Sequence, residues 1–436
     1  MKTIEDFLEH YAGLWPEKTA IAMPKCSMTY RQLYDEVCYK AASIKGLKGK
    51  AIAFRNNQDI NTLVYYFAIH MARAVAVPLE KDIPEEEQKG IESQLAGLTF
   101  TNDCADILYT SGTTGRKKGV LISHRAILAN GENLIEAQGY NADLRFIVCG
   151  PLNHLGSLSK VYPTIMCGAT LHILEGMKDT NAFFNAIEES TEKIGTFLVP
   201  ASIRMLNTMG RKRMEALASK IDFIETGAAP ISANDMTALC RILPKSRLYN
   251  TYASTETGII ATYNFNDGRC MEGCVGKALK NSAFAIANDG HIVCYGDTLM
   301  CGIITDGTIS HKSHNTGVDT SDLGETGTEG MLHFKGRNDD TINTGGFKVA
   351  PTEIEDVVMG LEQVKECVCI ADEHPIAGTV IRLLVVMEEG EKMNKKELAR
   401  YIASKLESYK VPFYYEQVES IHRTYNGKID RKAYRK

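Results

Sequence analysis

Short apolar runs rich in β-branched residues alternate with helical patterns along most of the chain. They are AIAF (51–54), AVAVPL (74–79), RFIVCG (145–150), ATLHIL (169–174), GTFLVP (195–200) and DFIETG (222–227). A strand with one wet face alternates apolar and polar residues, whereas runs this continuous need cover on both faces. Helices packed on either side of a parallel sheet supply that cover. The alternation therefore predicts an α/β architecture. The opening MKTIEDFLEHYAGLWPEK spaces its apolar residues as an amphipathic helix and carries acids where a secretion signal carries bases. No uninterrupted apolar run approaches the roughly 20 residues that span a bilayer, so stable membrane insertion is not expected and a cytoplasmic address is.

The pattern changes after about residue 337. TEIEDVVMGL (352–361) is predicted to open a helix on a Thr352–Glu355 capping box, with Ile354, Val357, Val358 and Leu361 on one face. Two strand-like runs follow, near VKECVCIA and TVIRLLVVM. NKKELARYIASKL then sets Leu398, Tyr401, Ile402 and Leu406 on a second helical face. The expected organisation is a large α/β body of several subdomains, residues 1–337, with a small α+β C-terminal domain, residues 338–436.

A net charge of −5 gives no support to a nucleic-acid surface. The twelve cysteines are scattered singly with no C-x-x-C spacing, and are expected as buried, reduced thiols.

Within YTSGTTGRKKGV (109–120) the flanks ADILY and GVLIS read as a strand and its antiparallel return. Glycines between them let backbone N–H groups form a concave anion nest, hydroxyls add donors, and the bases add charge. A triphosphate suits such a loop; composition alone also allows a surface hairpin. No lysine followed by Ser or Thr closes a G-x-x-x-x-G frame, and no G-x-G-x-x-G is present, so Walker and dinucleotide loops are both disfavoured.

The segment resembles the phosphate loop [ST]-G-[ST]-T-G-x-P-K-G-V of the adenylate-forming superfamily, which contains acyl- and aryl-CoA synthetases, peptide-synthetase adenylation domains and luciferases. Lys117 stands where that loop usually has proline, and Lys118 falls on its lysine. MTYRQL (28–33), AVAVPLE (74–80), TGAAP (226–230), NTYASTE (250–256), GCVGKAL (273–279), TSDLGETGTEGMLHFKGRNDD (320–340), GGFKVAPTEIE (345–355) and NGKIDRK (426–432) continue the resemblance in order. Ala253 and Ser321 replace glycines of the pattern. The segment before the phosphate loop is shorter than in many members, so a trimmed first subdomain is expected.

The resemblance implies a carboxylic acid activated by ATP to acyl-adenylate and pyrophosphate, then passed to a thiol. It implies nucleotide contacts from Thr110, Ser111, Gly112, Thr113, Thr114, Gly115 and Lys118 on the phosphates. Gly227, Ala228, Ala229, Asn250, Thr251 and Tyr252 fall at the adenine, Asp322 at the ribose, and Arg337 at the ribose or phosphate. Glu256, with Thr114, would hold Mg²⁺ beside Thr255, since Mg²⁺ takes one or two protein oxygens together with phosphate and water. Lys428 would stabilise charge developing between carboxylate and α-phosphate. His154, Gly227 and Ala253 would border the acid. Asp339 falls on the hinge about which the C-terminal domain of such enzymes rotates, and Gly345 and Gly346 fall where backbone guides the thiol. No acid stands in PLNHLGSLSK, which disfavours an α-amino acid substrate.

The expected cosubstrates are thus ATP with Mg²⁺ and a small carboxylic acid. The doubled glycine points to coenzyme A, while NGKIDRK is also common where a phosphopantetheinyl acyl carrier protein is the acceptor. A catalytically silent nucleotide-binding module is the reading from a different class.

Overall fold

The computed structural model describes residues 2–111, 117–177, 179–313, 316–337, 340–344, 347–374, 378–424 and 429–434. The expected parallel sheet is present. Strands Thr19–Met23, Thr170–Ile173, Leu144–Val148, Lys193–Phe197, Ile221–Gly227 and Arg247–Ser254 lie side by side, all parallel. Helices cover both faces. Phe146 and Phe223 pack toward helices His124–Gln138 and Leu155–Met166, whereas Ile147, Ile194 and Ile224 belong to a second core with Phe183, Met236 and Leu239. Beyond Arg247–Ser254 the sheet becomes antiparallel through Gly258–Asn264, Cys274–Ala278, Leu332–Arg337 and Val318–Thr326. Alternating burial in strands such as His291–Gly296 fits a sheet with one wet face.

A second sheet holds the glycine-rich hairpin. Cys104–Ser111 and Lys117–Ser123 pair antiparallel from Cys104↔Ser123 to Ser111↔Lys117, flanked by the parallel strands Val75–Leu79 and Ala51–Arg55. Three helices brace this hairpin through buried polar groups. His70 on helix Ile60–Met71 lies 3.0 Å from Glu5 and 2.9 Å from Asp106. The other Asp106 oxygen accepts from Tyr66 at 3.0 Å and Tyr162 at 3.4 Å. Burial pushes the His70 pKa down, but the two carboxylates more than offset this and raise it to about 10, so the imidazolium ties Glu5 in helix Ile4–Leu14 to the hairpin strand.

Residues from Ile342 onward form their own core. Strands Val364–His374, Gly378–Met387 and Tyr414–Gln417 make a three-stranded sheet, with helices Pro351–Met359 and Lys395–Lys405 on one face burying Ile354, Val358, Leu398 and Ile402. The opposite face, Val368, Ile370, Leu384 and Val386, is covered by Ile421, Ile429 and Tyr434 of the C-terminal segment.

Two local expectations are corrected. Helix Pro351–Met359 does not begin on a Thr352–Glu355 capping box, because Ala350 is the N-cap and Pro351 the first helical residue. Proline fits there since its missing N–H would be unpaired anyway. Thr352 instead donates to the Lys335 carbonyl at 3.2 Å, and Glu355 is drawn inward to accept two bonds from Arg431, at 2.6 and 2.7 Å. The cysteines are all free, but Cys26 is exposed and only six of the twelve are fully buried.

Candidate active site

The hairpin delivers Thr110 opposite Lys118 at its open end. Gly112, Thr113, Thr114 and Gly115 fall outside the described residues, as do Asp339, Gly345, Gly346 and Lys428. Lys117, in the position of the family's proline, pairs with Glu87 and lies 3.8 Å from Glu80.

Glu256 lies in the tight turn between strands Arg247–Ser254 and Gly258–Asn264. Ser254 and Thr257 exchange side-chain and backbone bonds across it at 3.2 Å. Gly258 closes the turn with φ of 68°, and a Cβ there would come within 2.6 Å of Asn130 and of the Thr298 carbonyl, so only glycine fits. Asn130, inside helix His124–Gln138, accepts from the Ile259 N–H at 2.7 Å. One helix therefore follows the glycine-rich hairpin and also fixes the turn that carries Glu256 and Thr255. Asn130 escapes a reading of motifs; its signal is a pair of amides one turn apart, Asn130 and Asn133, on the buried face of the helix.

Gly227 ends its strand level with Thr251, and a Cβ on it would lie 2.8 Å from the Thr251 carbonyl. Ala228 follows in the left-handed region at φ of 67°, and the chain turns away through Ala229. The neighbouring side chains of Asn250 and Thr251 are engaged within the sheet, Asn250 with the Cys274 carbonyl at 2.8 Å and Thr251 with Thr262 at 2.9 Å. Tyr252 donates to Asp322 at 2.7 Å, and its oxygen lies 3.1 Å from the Thr320 hydroxyl. Burial raises its pKa and the Asp322 carboxylate raises it further, so the phenol stays protonated as a donor. Arg337, directly across the ladder, reaches the other Asp322 oxygen at 3.2 Å. Asp322 is thus a carboxylate held in a fixed orientation by a phenol and a guanidinium. The oxygens of Asp322 and Glu256 and the narrow Gly227–Ala228 turn fit a nucleotide with a hard divalent cation.

His154 is the N-cap of helix Leu155–Met166, and its carbonyl accepts from Leu158 at 2.9 Å. From there the wall continues through Phe197, whose ring lies 3.5 Å from where a Gly156 Cβ would stand and 3.6 Å from where a Gly227 Cβ would stand. Ala253 packs at the edge of the same core. Behind Phe197 lies a pair that motif reading missed: Lys160 donates to Glu225 at 2.7 Å, with both side chains buried. Although the 151–160 stretch holds no acid, the adjacent strand brings one to it. The signal was available in DFIETG and SLSKVY, since a charge inside a buried run needs a partner.

Among the described residues no helix is long and apolar enough to cross a membrane.

With this geometry in place, the comparisons agree on one family. The chain belongs to the AMP-binding enzymes: that family matches residues 8–96 and 98–302, and the AMP-binding enzyme C-terminal domain matches residues 353–428. Indoleacetate–CoA ligase of Aromatoleum aromaticum is 26% identical, over 98% of this chain and 96% of the relative. The 2-succinylbenzoate–CoA ligase of Bacillus cereus is 25% identical, over 100% and 98%. ATP-bound MatB from Rhodopseudomonas palustris shares the fold with a TM-score of 0.85 at 22% identity, over 100% of this chain and 98% of that one.

Proposed function

We propose that the chain is an AMP-forming acid–thiol ligase that joins a carboxylic acid to coenzyme A through an acyl-adenylate. The observation that carries this reading is Asp322, a carboxylate in strand Val318–Thr326 fixed by Arg337 and by Tyr252, whose own strand runs beside that of Gly227 and ends in the turn carrying Glu256. A carboxylate accepting from two adjacent hydroxyls matches a ribose, and the oriented phenol ring beside it matches a base.

In the first half-reaction the acid's carboxylate oxygen attacks the α-phosphorus of ATP, and pyrophosphate leaves. In the second a thiolate attacks the acyl carbon and AMP leaves. The first step brings an anion to an anion, so its barrier is governed by charge neutralisation. Lys118, the phosphate-loop backbone and Thr110–Gly115 would hold the triphosphate, and Glu256 with Thr114 would hold Mg²⁺. When bound, Mg²⁺ supplies neutralisation of the phosphate charge. Lys428 would donate to the oxygens between which charge moves. The proposed body, residues 1–337, and C-terminal domain, 338–436, would change their relative orientation at Asp339 between the two steps, with Gly345 and Gly346 turned to the thiol in the second. Two of the relatives, indoleacetate–CoA ligase and 2-succinylbenzoate–CoA ligase, are named CoA ligases, which supports coenzyme A as acceptor.

The test is acid-dependent ATP–pyrophosphate exchange, followed by addition of coenzyme A or of a pantetheinylated carrier protein to see which becomes acylated. Lys428→Ala is expected to lower exchange by about a hundredfold or more while ATP binding persists. Hydrolysis to ADP, or exchange untouched by this substitution, refutes the assignment.

A further inference from the structure

We infer that the acid this enzyme activates carries a neutral hydrogen-bond donor, a hydroxyl or an amino group of aniline type, at the end remote from its carboxyl, and that Glu225 receives it. The inference rests on the ligase reading above and specifies its substrate class.

The argument starts from the Lys160–Glu225 pair. Neither side chain is more than 1% exposed. Taking two ions out of water costs several kcal/mol each, recovered only when every lone pair and proton finds a partner. Lys160 directs one N–H to a Glu225 oxygen at 2.7 Å and holds its ammonium 5.0 Å from the centre of the Phe197 ring. The other oxygen, Glu225 Oε2, is buried and has no hydrogen-bond partner among the described residues. An unsatisfied buried carboxylate oxygen is costly, and such atoms concentrate where something else arrives to meet them.

The location says what arrives. Glu225 stands two residues before Gly227 on one strand, so both point to the same face, and Phe197 is its partner on the adjacent strand. Lys160 lies one helical turn beyond Gly156, on the face that meets the same ring. The partly exposed Phe197 ring therefore joins the Gly227 turn, on the nucleotide side, to the ion pair on the far side. An acid whose carboxyl lies toward the nucleotide would lie along Phe197 and direct its other end to Glu225. Because Lys160 already neutralises the carboxylate, the incoming donor need carry no charge. A second carboxylate there would meet the Glu225 oxygen unfavourably.

The experiment compares matched acids in pyrophosphate exchange: 4-hydroxybenzoate and 4-aminobenzoate against benzoate, and 6-hydroxyhexanoate against hexanoate. The donor-bearing member is expected to win by tenfold or more in kcat/KM, since a site built to bond a substrate O–H or N–H rejects the analogue lacking it. Replacing both partners together, Lys160→Met with Glu225→Leu, exchanges the ion pair for apolar side chains and is expected to bring the ratio to about one or invert it, with the ATP dissociation constant unchanged. Should that variant fail to fold, Glu225→Gln offers an N–H in place of a lone pair and should shift preference toward acceptor-only acids such as 4-methoxybenzoate. Wild-type exchange with plain acids at equal or greater kcat/KM, or a preference that survives these substitutions, overturns the inference and leaves the ligase reading intact. Absence of exchange with every acid overturns both.

Discussion

His70→Gln tests whether the buried charge network braces the glycine-rich hairpin. In the native protein one imidazolium lies between Glu5 and Asp106, with the Tyr66 and Tyr162 hydroxyls on the Asp106 side and the His124 ring 5.0 Å away, edge-on. Burial and the His70 charge lower the His124 pKa, so that ring stays neutral in the window considered. The His70 pKa is raised from 6.5 to about 10. Its stabilisation is therefore complete below pH 6.5 and is lost as pH rises toward 10. Glu5 runs the other way: burial raises its pKa but His70 more than offsets this and lowers it, so its share is present above 4.5 and is lost in acid. Between pH 7 and pH 9 the His70 shift withdraws about 2–3 kcal/mol, taking 2.303RT for each pH unit over which the folded state holds the proton and the unfolded state does not. Glutamine donates to only one carboxylate and carries no charge, so the variant is expected to lose about 3–5 kcal/mol at pH 7, the cost of breaking a buried pair. It should also lose the alkaline slope. Urea unfolding followed by tryptophan fluorescence reads this locally, because the single tryptophan, Trp15, caps helix Ile4–Leu14 and stacks on Tyr11 at 5.0 Å. A variant whose stability falls between pH 7 and pH 9 as steeply as the wild type's would refute the reasoning.

Two further substitutions probe the site itself. Tyr252→Phe keeps the ring but removes the donor to Asp322 at 2.7 Å. A hydrogen bond to a charged acceptor is worth about 1.5–3 kcal/mol, so ATP affinity by calorimetry should weaken by about tenfold or more, and unchanged affinity would remove Asp322 from the ribose. Arg431→Met breaks the bidentate bond to Glu355 and the bond to the Cys369 carbonyl at 2.7 Å, which anchor residues 429–434 to the small domain just after Lys428. Exchange rate is expected to fall far more than ATP affinity; an equal fall in both would show that the anchor does not serve Lys428.

The sequence by itself determined the α/β class, the hairpin around the glycine-rich loop and the helix–strand content of the C-terminal domain. These follow from periodicity and from glycine chemistry, which act over a few residues. Motif order likewise fixed which side chains are candidates at the nucleotide, because Tyr252, Asp322 and Glu256 each sit inside a recognisable local pattern. Only the tertiary structure decided that Tyr252, Asp322 and Arg337 bond one another, since the tyrosine lies 70 positions from the aspartate. It alone showed that Glu355 is committed to Arg431, 76 positions away, where local capping had seemed its role. Glu225 makes the point most sharply: it stands between Ile224 and Thr226 in a buried strand, and its partner Lys160 stands 65 positions away. Burial makes such charges depend on what the fold brings beside them, and no local pattern encodes that distance.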